Sequence, residues 1–144
     1  MNSGKHKTLL KGTDEMRKYA KILAFGGISW AIPFLVSLPL YSRDGQVAID
    51  YNLFKSIMVV TGTLVGCILL AVYFKKQRAS FGEGLRVGVI WYAVNVLLDL
   101  LILVPLSKLT IPEYFLQIGI RYLSIVIIGA FAGAIGSVGR ETDA

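Results

Sequence analysis

Two residues of this chain, Asp99 and Arg121, carry charge inside long apolar runs. A charged side chain at the centre of a bilayer costs roughly 2.5–3.5 kcal/mol on insertion scales, so such residues face protein or water and pair with one another. Asp99 lies seven residues before Leu106, at the end of its run, and Arg121 lies nine residues past Pro112, at the start of the next. At 1.5 Å per residue, these positions are ~10 Å and ~13 Å from the same boundary. Similar depth and opposite charge on adjacent antiparallel helices predict a direct Asp99–Arg121 pair. The planar guanidinium suits a carboxylate, and Asn95 or Gln117 would supply further hydrogen bonds. The chemistry expected of Asp99, Arg121, Asn95 and Gln117 is a substrate or ion site in the bundle. The alternative is a structural pair that fixes helix register and nothing else.

The residues around Asp99 strengthen the expectation of an inward face. Gly84, Gly88, Trp91, Asn95 and Asp99 are spaced by 4, 3, 4 and 4 residues. On a helix they form one stripe, and two glycines, an indole, an amide and a carboxyl do not face lipid cheaply. Gln117, Arg121 and Ser124 form the matching stripe one run later. Glycines recur in pairs four apart, Gly62 with Gly66, Gly84 with Gly88 and Gly129 with Gly133, followed by Gly136. Small residues let helix backbones approach closely in lipid. These positions are expected to pack helices, either within one bundle or between copies of the chain.

Other reactive chemistry is sparse. One histidine, His6, and one cysteine, Cys67, are far apart and cannot make a zinc site of the usual ligand count or an internal disulfide. No nucleophile–base pair occurs, so no enzyme activity, metal or cofactor is expected. Cys67 is expected to be a small core residue, Trp30 a packing residue, and Lys55 a lysine that reaches the interface. Glu83 and Arg86 fit a helix start at the inner boundary. Tyr41, Tyr51 and Tyr114 fall at the outer boundary and Tyr19 and Tyr73 at the inner one, where tyrosine belts form.

The elements that must position these residues follow from composition. Of 144 residues, 55% are hydrophobic and 17% charged, and mean hydropathy is +0.65. Soluble domains carry about 25% charged residues. The apolar excess falls in four runs, about 22–41, 52–74, 85–106 and 112–138. Each is long enough to cross a hydrocarbon core as a helix. Backbone groups in lipid are satisfied only in helices or closed barrels. The fold class is therefore an all-α integral membrane protein, an antiparallel bundle of four transmembrane helices. Residues 1–21 read as a basic tail, 22–139 as the transmembrane domain and 140–144 as a short C-terminus. Pro33 predicts a kink in the first span.

The net charge of +6 would suggest nucleic acid in a soluble chain. Here the basic residues flank the apolar runs, so no nucleic-acid partner is expected. Eleven Lys and Arg fall on the side of the tail, the 75–86 segment and Arg140, against three (Arg43, Lys55 and Lys108) on the other. The positive-inside rule puts both termini in the cytoplasm of a multi-pass cell-membrane protein, with anionic headgroups against the basic side. Four helices make a thin bundle, so a homo-oligomer is expected, with span four as the contact. The function expected is a small oligomeric transporter or channel-like protein. The alternative is a structural or accessory subunit of a larger membrane complex, in which the charge pair serves assembly only.

Overall fold

A computed structural model describes residues 3–42, 46–107 and 109–142, with side chains for 12–42, 46–107 and 109–138. The side chains of Lys5, His6, Lys7, Lys11, Arg43, Lys108 and Arg140 lie outside the described residues.

Helix α1 runs unbroken from Ser3 to Ser37 and passes through Pro33. The basic tail is thus helical and continuous with the first span. Hydropathy marks where a helix enters lipid, not where it begins. A tight 3-10 turn, Leu38–Leu40, closes this segment at Pro39.

Helix α2 covers Tyr51–Lys76. Asp50 caps it, its carboxylate accepting the N–H groups of Asn52 and Leu53, both at 3.0 Å. Lys75 and Lys76 occupy its last turn, where positive charge complements the helix dipole. Helix α3 covers Phe81–Leu98, and the Ser80 hydroxyl caps it by accepting the Glu83 N–H at 3.1 Å.

The third segment then widens into a π-helical turn, Asp99–Leu103, before α4, Val104–Ser107. Helix α5 is short, Ile111–Gln117, with Pro112 in its first turn. The Glu113 carboxylate accepts both the hydroxyl and the N–H of Thr110, at 2.6 and 2.9 Å. The Thr110 hydroxyl is the main reason its carboxyl is held below the usual range. At Ile118 the backbone leaves helical geometry, with φ −126° and ψ −56°. A 3-10 turn, Gly119–Tyr122, then leads into α6, Leu123–Thr142.

Four segments are long and apolar enough to cross a membrane: Gly12–Leu40, Tyr51–Lys76, Phe81–Ser107 and Gly119–Val138. The fourth opens at Gly119 and not near Pro112, because the break at Ile118 interrupts it. The described residues are almost entirely helical and contain no strand, only an isolated bridge between Tyr41 and Val47.

Helix α3 is the organising element, with α6 on one side and α1 on another. Against α6 the contact is backbone on backbone. A Cβ on Gly88 would lie 2.8 Å from the Val126 Cα, and one on Gly129 would lie 2.8 Å from the Gly84 carbonyl oxygen. A Cβ on Gly84 would strike the Gly129 carbonyl, and one on Gly133 the Ser80 carbonyl. At the end of this line a Cβ on Gly136 would meet Ala79 at 2.8 Å. These glycines are therefore occupied inside one chain and do not present a free face to a second copy.

Gly62 and Gly66 differ. Only Pro33 approaches a Cβ on Gly62, at 3.9 Å, and nothing lies within 4 Å of one on Gly66. The apolar core gathers Ile22, Leu70, Tyr73, Val87 and Trp91. Cys67 does not join it: the thiol is exposed on the outside of α2.

Candidate functional site

One face of α3 carries a line of buried polar groups, and α1 answers each of them. Trp91, fully buried, donates its indole N–H to the Ile22 carbonyl at 2.8 Å. Asn95, 1% exposed, donates from its amide to the Ser29 hydroxyl at 3.0 Å and to its own helix at the Trp91 carbonyl at 2.8 Å. Ser29 in turn donates to the Gly26 carbonyl at 2.7 Å. Gly26 fits a close approach here. A Cβ at that position would sit 3.1 Å from the Trp91 ring.

Asp99 is the next member of the line, one turn beyond Asn95, and is also 1% exposed. Trp30 donates its indole N–H to one carboxylate oxygen at 2.7 Å, and the Tyr114 hydroxyl donates to the other at 3.0 Å. Tyr122 is a further phenol near the same carboxyl. Trp30 is held by stacking on Phe34, with ring centroids 4.7 Å apart. All three of these side chains, the two donors and Tyr122, are neutral and aromatic. They come from α1, α5 and the 3-10 turn ahead of α6, so the carboxylate ties three parts of the chain together.

The backbone at Asp99 is equally distinctive. Its carbonyl accepts the Val104 N–H, five residues on, at the opening of the π-helical turn. Single π turns inside α-helices occur frequently at functional sites. Opposite this turn lies the Ile118 break, so two irregular backbone segments flank one buried acid.

The expected Asp99–Arg121 pair does not form. Arg121 is exposed on the 3-10 turn and makes no salt bridge among the described residues. The cause is the break at Ile118. On an unbroken helix Arg121 would sit two turns after Tyr114 and share its face. The break resets the phase, turning Arg121 out and bringing Tyr122 toward Asp99. Gln117 is likewise not in the site: it accepts the Tyr51 hydroxyl at 3.0 Å on the exposed side of the bundle. Lys55 reaches over the same Tyr51 ring, 3.9 Å from its centroid. Of the four residues singled out in the sequence, Asn95 and Asp99 share one buried line, while Gln117 and Arg121 lie apart from it.

Trp30, Tyr114 and Tyr122 are the residues around Asp99 that the spacing of charges does not single out. Trp30 reads as packing and Tyr114 as a boundary tyrosine, yet Tyr114 is fully buried. The available signal was the polar tip of each ring, which needs a partner once the ring is buried.

A second polar cluster closes the other end of α3. Glu83 accepts from Tyr73 at 2.6 Å, from Lys18 at 2.9 Å and from Arg86 at 3.2 Å. Tyr73 is thus a buried donor to Glu83 near the end of its span. Ile22, Val87 and the Trp91 ring lie between this cluster and Asn95. The line is polar at both ends and apolar in between. Among the described residues no buried side-chain nitrogen or oxygen lacks a partner, and no three His, Cys, Asp or Glu side chains group to hold a metal ion. Comparison with protein-family models, with curated proteins and with solved structures finds no match.

Proposed function

We propose that this chain is a small multi-pass protein of the cell membrane, transporter-like or channel-like, whose working group is the Asp99 carboxyl. The observation that carries the reading is the Asp99 environment: a carboxyl buried to 1% exposure, with two indole or phenol donors at hydrogen-bond distance and no cation among the described residues paired with it. A buried carboxylate with no paired cation is costly to keep charged, even when it is hydrogen-bonded. One held by neutral donors is free to take a proton or a small cation, and intramembrane acids mark such paths. In this reading Trp30, Tyr114 and Tyr122 orient the carboxyl. The π turn and the Ile118 break are the flexible points that admit the ion. The four spans run antiparallel with both termini in the cytoplasm, as the eleven-to-three basic bias requires.

A second reading is favoured by one observation, the complete hydrogen-bond satisfaction of the α1–α3 line. In it Asn95 and Asp99 are staples of an accessory subunit that assembles with a larger membrane partner. Thermal unfolding in detergent separates the two. A ligand that binds the folded state raises its melting temperature by mass action. At fixed pH and ionic strength, the melting temperature of the wild type should depend on Na+ or K+ concentration in a way that Asp99→Asn abolishes. Parallel responses of the two proteins would favour the staple.

A further inference from the structure

A cleft of about 430 Å³ opens where α1 passes the end of α2, lined by Asp14, Glu15, Arg17, Lys18, Lys21 and Gln77. We propose that it holds the headgroup of a phospholipid bearing a primary amine, phosphatidylethanolamine. The inference needs the four helices to lie in a bilayer and is independent of what Asp99 does.

The order of charges along α1 carries it. Asp14, Arg17, Lys18 and Lys21 follow helical spacing and lie on one face, with Glu15 beside them. Lys21 sits next to Ile22, the first residue of the apolar run, and so marks the membrane boundary. Its ammonium lies 5.3 Å from the Phe25 ring centroid and 5.4 Å from that of Tyr73, which ties it to the apolar surface. Asp14 is seven residues further out, ~10 Å along the helix axis. The deep end of the cleft is cationic and the outer end anionic.

Lys18 is spoken for by Glu83 at 2.9 Å. Arg17 and Lys21 form no ion pair among the described residues, and neither do Asp14 and Glu15. Two cations at the depth of a lipid phosphate, with two carboxylates outside them and no ion pair to any of the four among the described residues, match a phosphate followed by an ammonium. A purely anionic headgroup would leave Asp14 and Glu15 opposed to it. A quaternary amine has no N–H to donate to them.

The test uses the full chain in detergent, titrated with palmitoyl-oleoyl lipids and followed by native mass spectrometry. Phosphatidylethanolamine should bind more tightly than phosphatidylglycerol or phosphatidylcholine. Each exposed charge contact is worth about 0.5–1 kcal/mol, so each removed contact should weaken binding about twofold to fivefold. Asp14→Asn with Glu15→Gln should abolish the preference for the ethanolamine lipid and improve phosphatidylglycerol binding. Both positions are exposed, so the fold should survive. Arg17→Gln with Lys21→Gln should weaken both lipids. Equal binding of all three lipids by the wild type, or a preference for phosphatidylglycerol, would overturn the proposal. So would an unchanged preference in the Asp14/Glu15 variant. Binding of soluble phosphoethanolamine as tight as that of the lipid would overturn it in favour of a solute site.

Discussion

Trp30 and Asp99 stand 69 residues apart in the chain and are joined by one hydrogen bond of 2.7 Å, indole N–H to carboxylate. That bond crosses between the first and third spans at the point where α3 gives way to its π turn. It makes the buried acid a shared property of α1 and α3. The matching bond from Tyr114 makes it a property of α5 as well.

Removing either donor should leave the fold intact but weaker. Tyr114→Phe deletes one hydroxyl and keeps the ring, and Trp30→Phe deletes the indole N–H. Side-chain hydrogen bonds within membranes average near 0.6 kcal/mol and reach about 1.7 kcal/mol, and those to charged groups are the stronger ones. Each substitution should therefore cost about 1–2 kcal/mol in reversible unfolding in detergent. A silent Tyr114→Phe would mean that the carboxyl does not use this donor.

Arg121 and Asp99 should behave as strangers. Arg121→Ala should change stability by less than about 0.5 kcal/mol, as for surface positions without special contacts. In a double-mutant cycle with Asp99→Asn the two effects should add, because residues without a shared partner do not couple. A coupling energy above about 1 kcal/mol would restore the ion pair that charge and depth suggest.

The glycines divide into two groups with opposite predicted outcomes. Gly88→Ala places a methyl 2.8 Å from the Val126 Cα. Backbone cannot yield there as a side chain can, and overpacking of this kind costs about 1–3 kcal/mol. Gly66→Ala meets nothing within 4 Å and gains helix propensity of up to about 1 kcal/mol. The first should lower the melting temperature and the second should hold or raise it. The reverse order would contradict the α3–α6 packing.

Much of this arrangement is legible in the chain itself. Four apolar runs mark the spans, and the stripe Gly84, Gly88, Trp91, Asn95 and Asp99 identifies a face that is buried at every position. Periodicity suffices because α3 is regular over that stretch. The partner of Asp99 is not legible, for two reasons. Counting residues for depth assumes an unbroken helix, and the one signal of a break in Gln117-Ile118-Gly119, the glycine, is no different from the many glycines that stay helical in this chain. Matching opposite charges also overlooks aromatic donors, whose rings read as packing until burial forces their polar tips to find partners. The helical tail was missed for a simpler reason. Its polar residues end the hydropathy signal at Ile22, while the backbone continues as helix back to Ser3.

Ion movement through purified protein tests the role of Asp99 most directly. Wild type and Asp99→Asn, matched for melting temperature and incorporation, are reconstituted in liposomes with a trapped pH-sensitive dye. A potassium diffusion potential, negative inside, is then imposed with valinomycin. If Asp99 is the working group, wild-type liposomes acidify faster than empty ones, and Asp99→Asn liposomes match the empty ones. Wild-type liposomes that acidify no faster than empty ones, or Asp99→Asn liposomes that keep the wild-type rate, would contradict a proton path through Asp99.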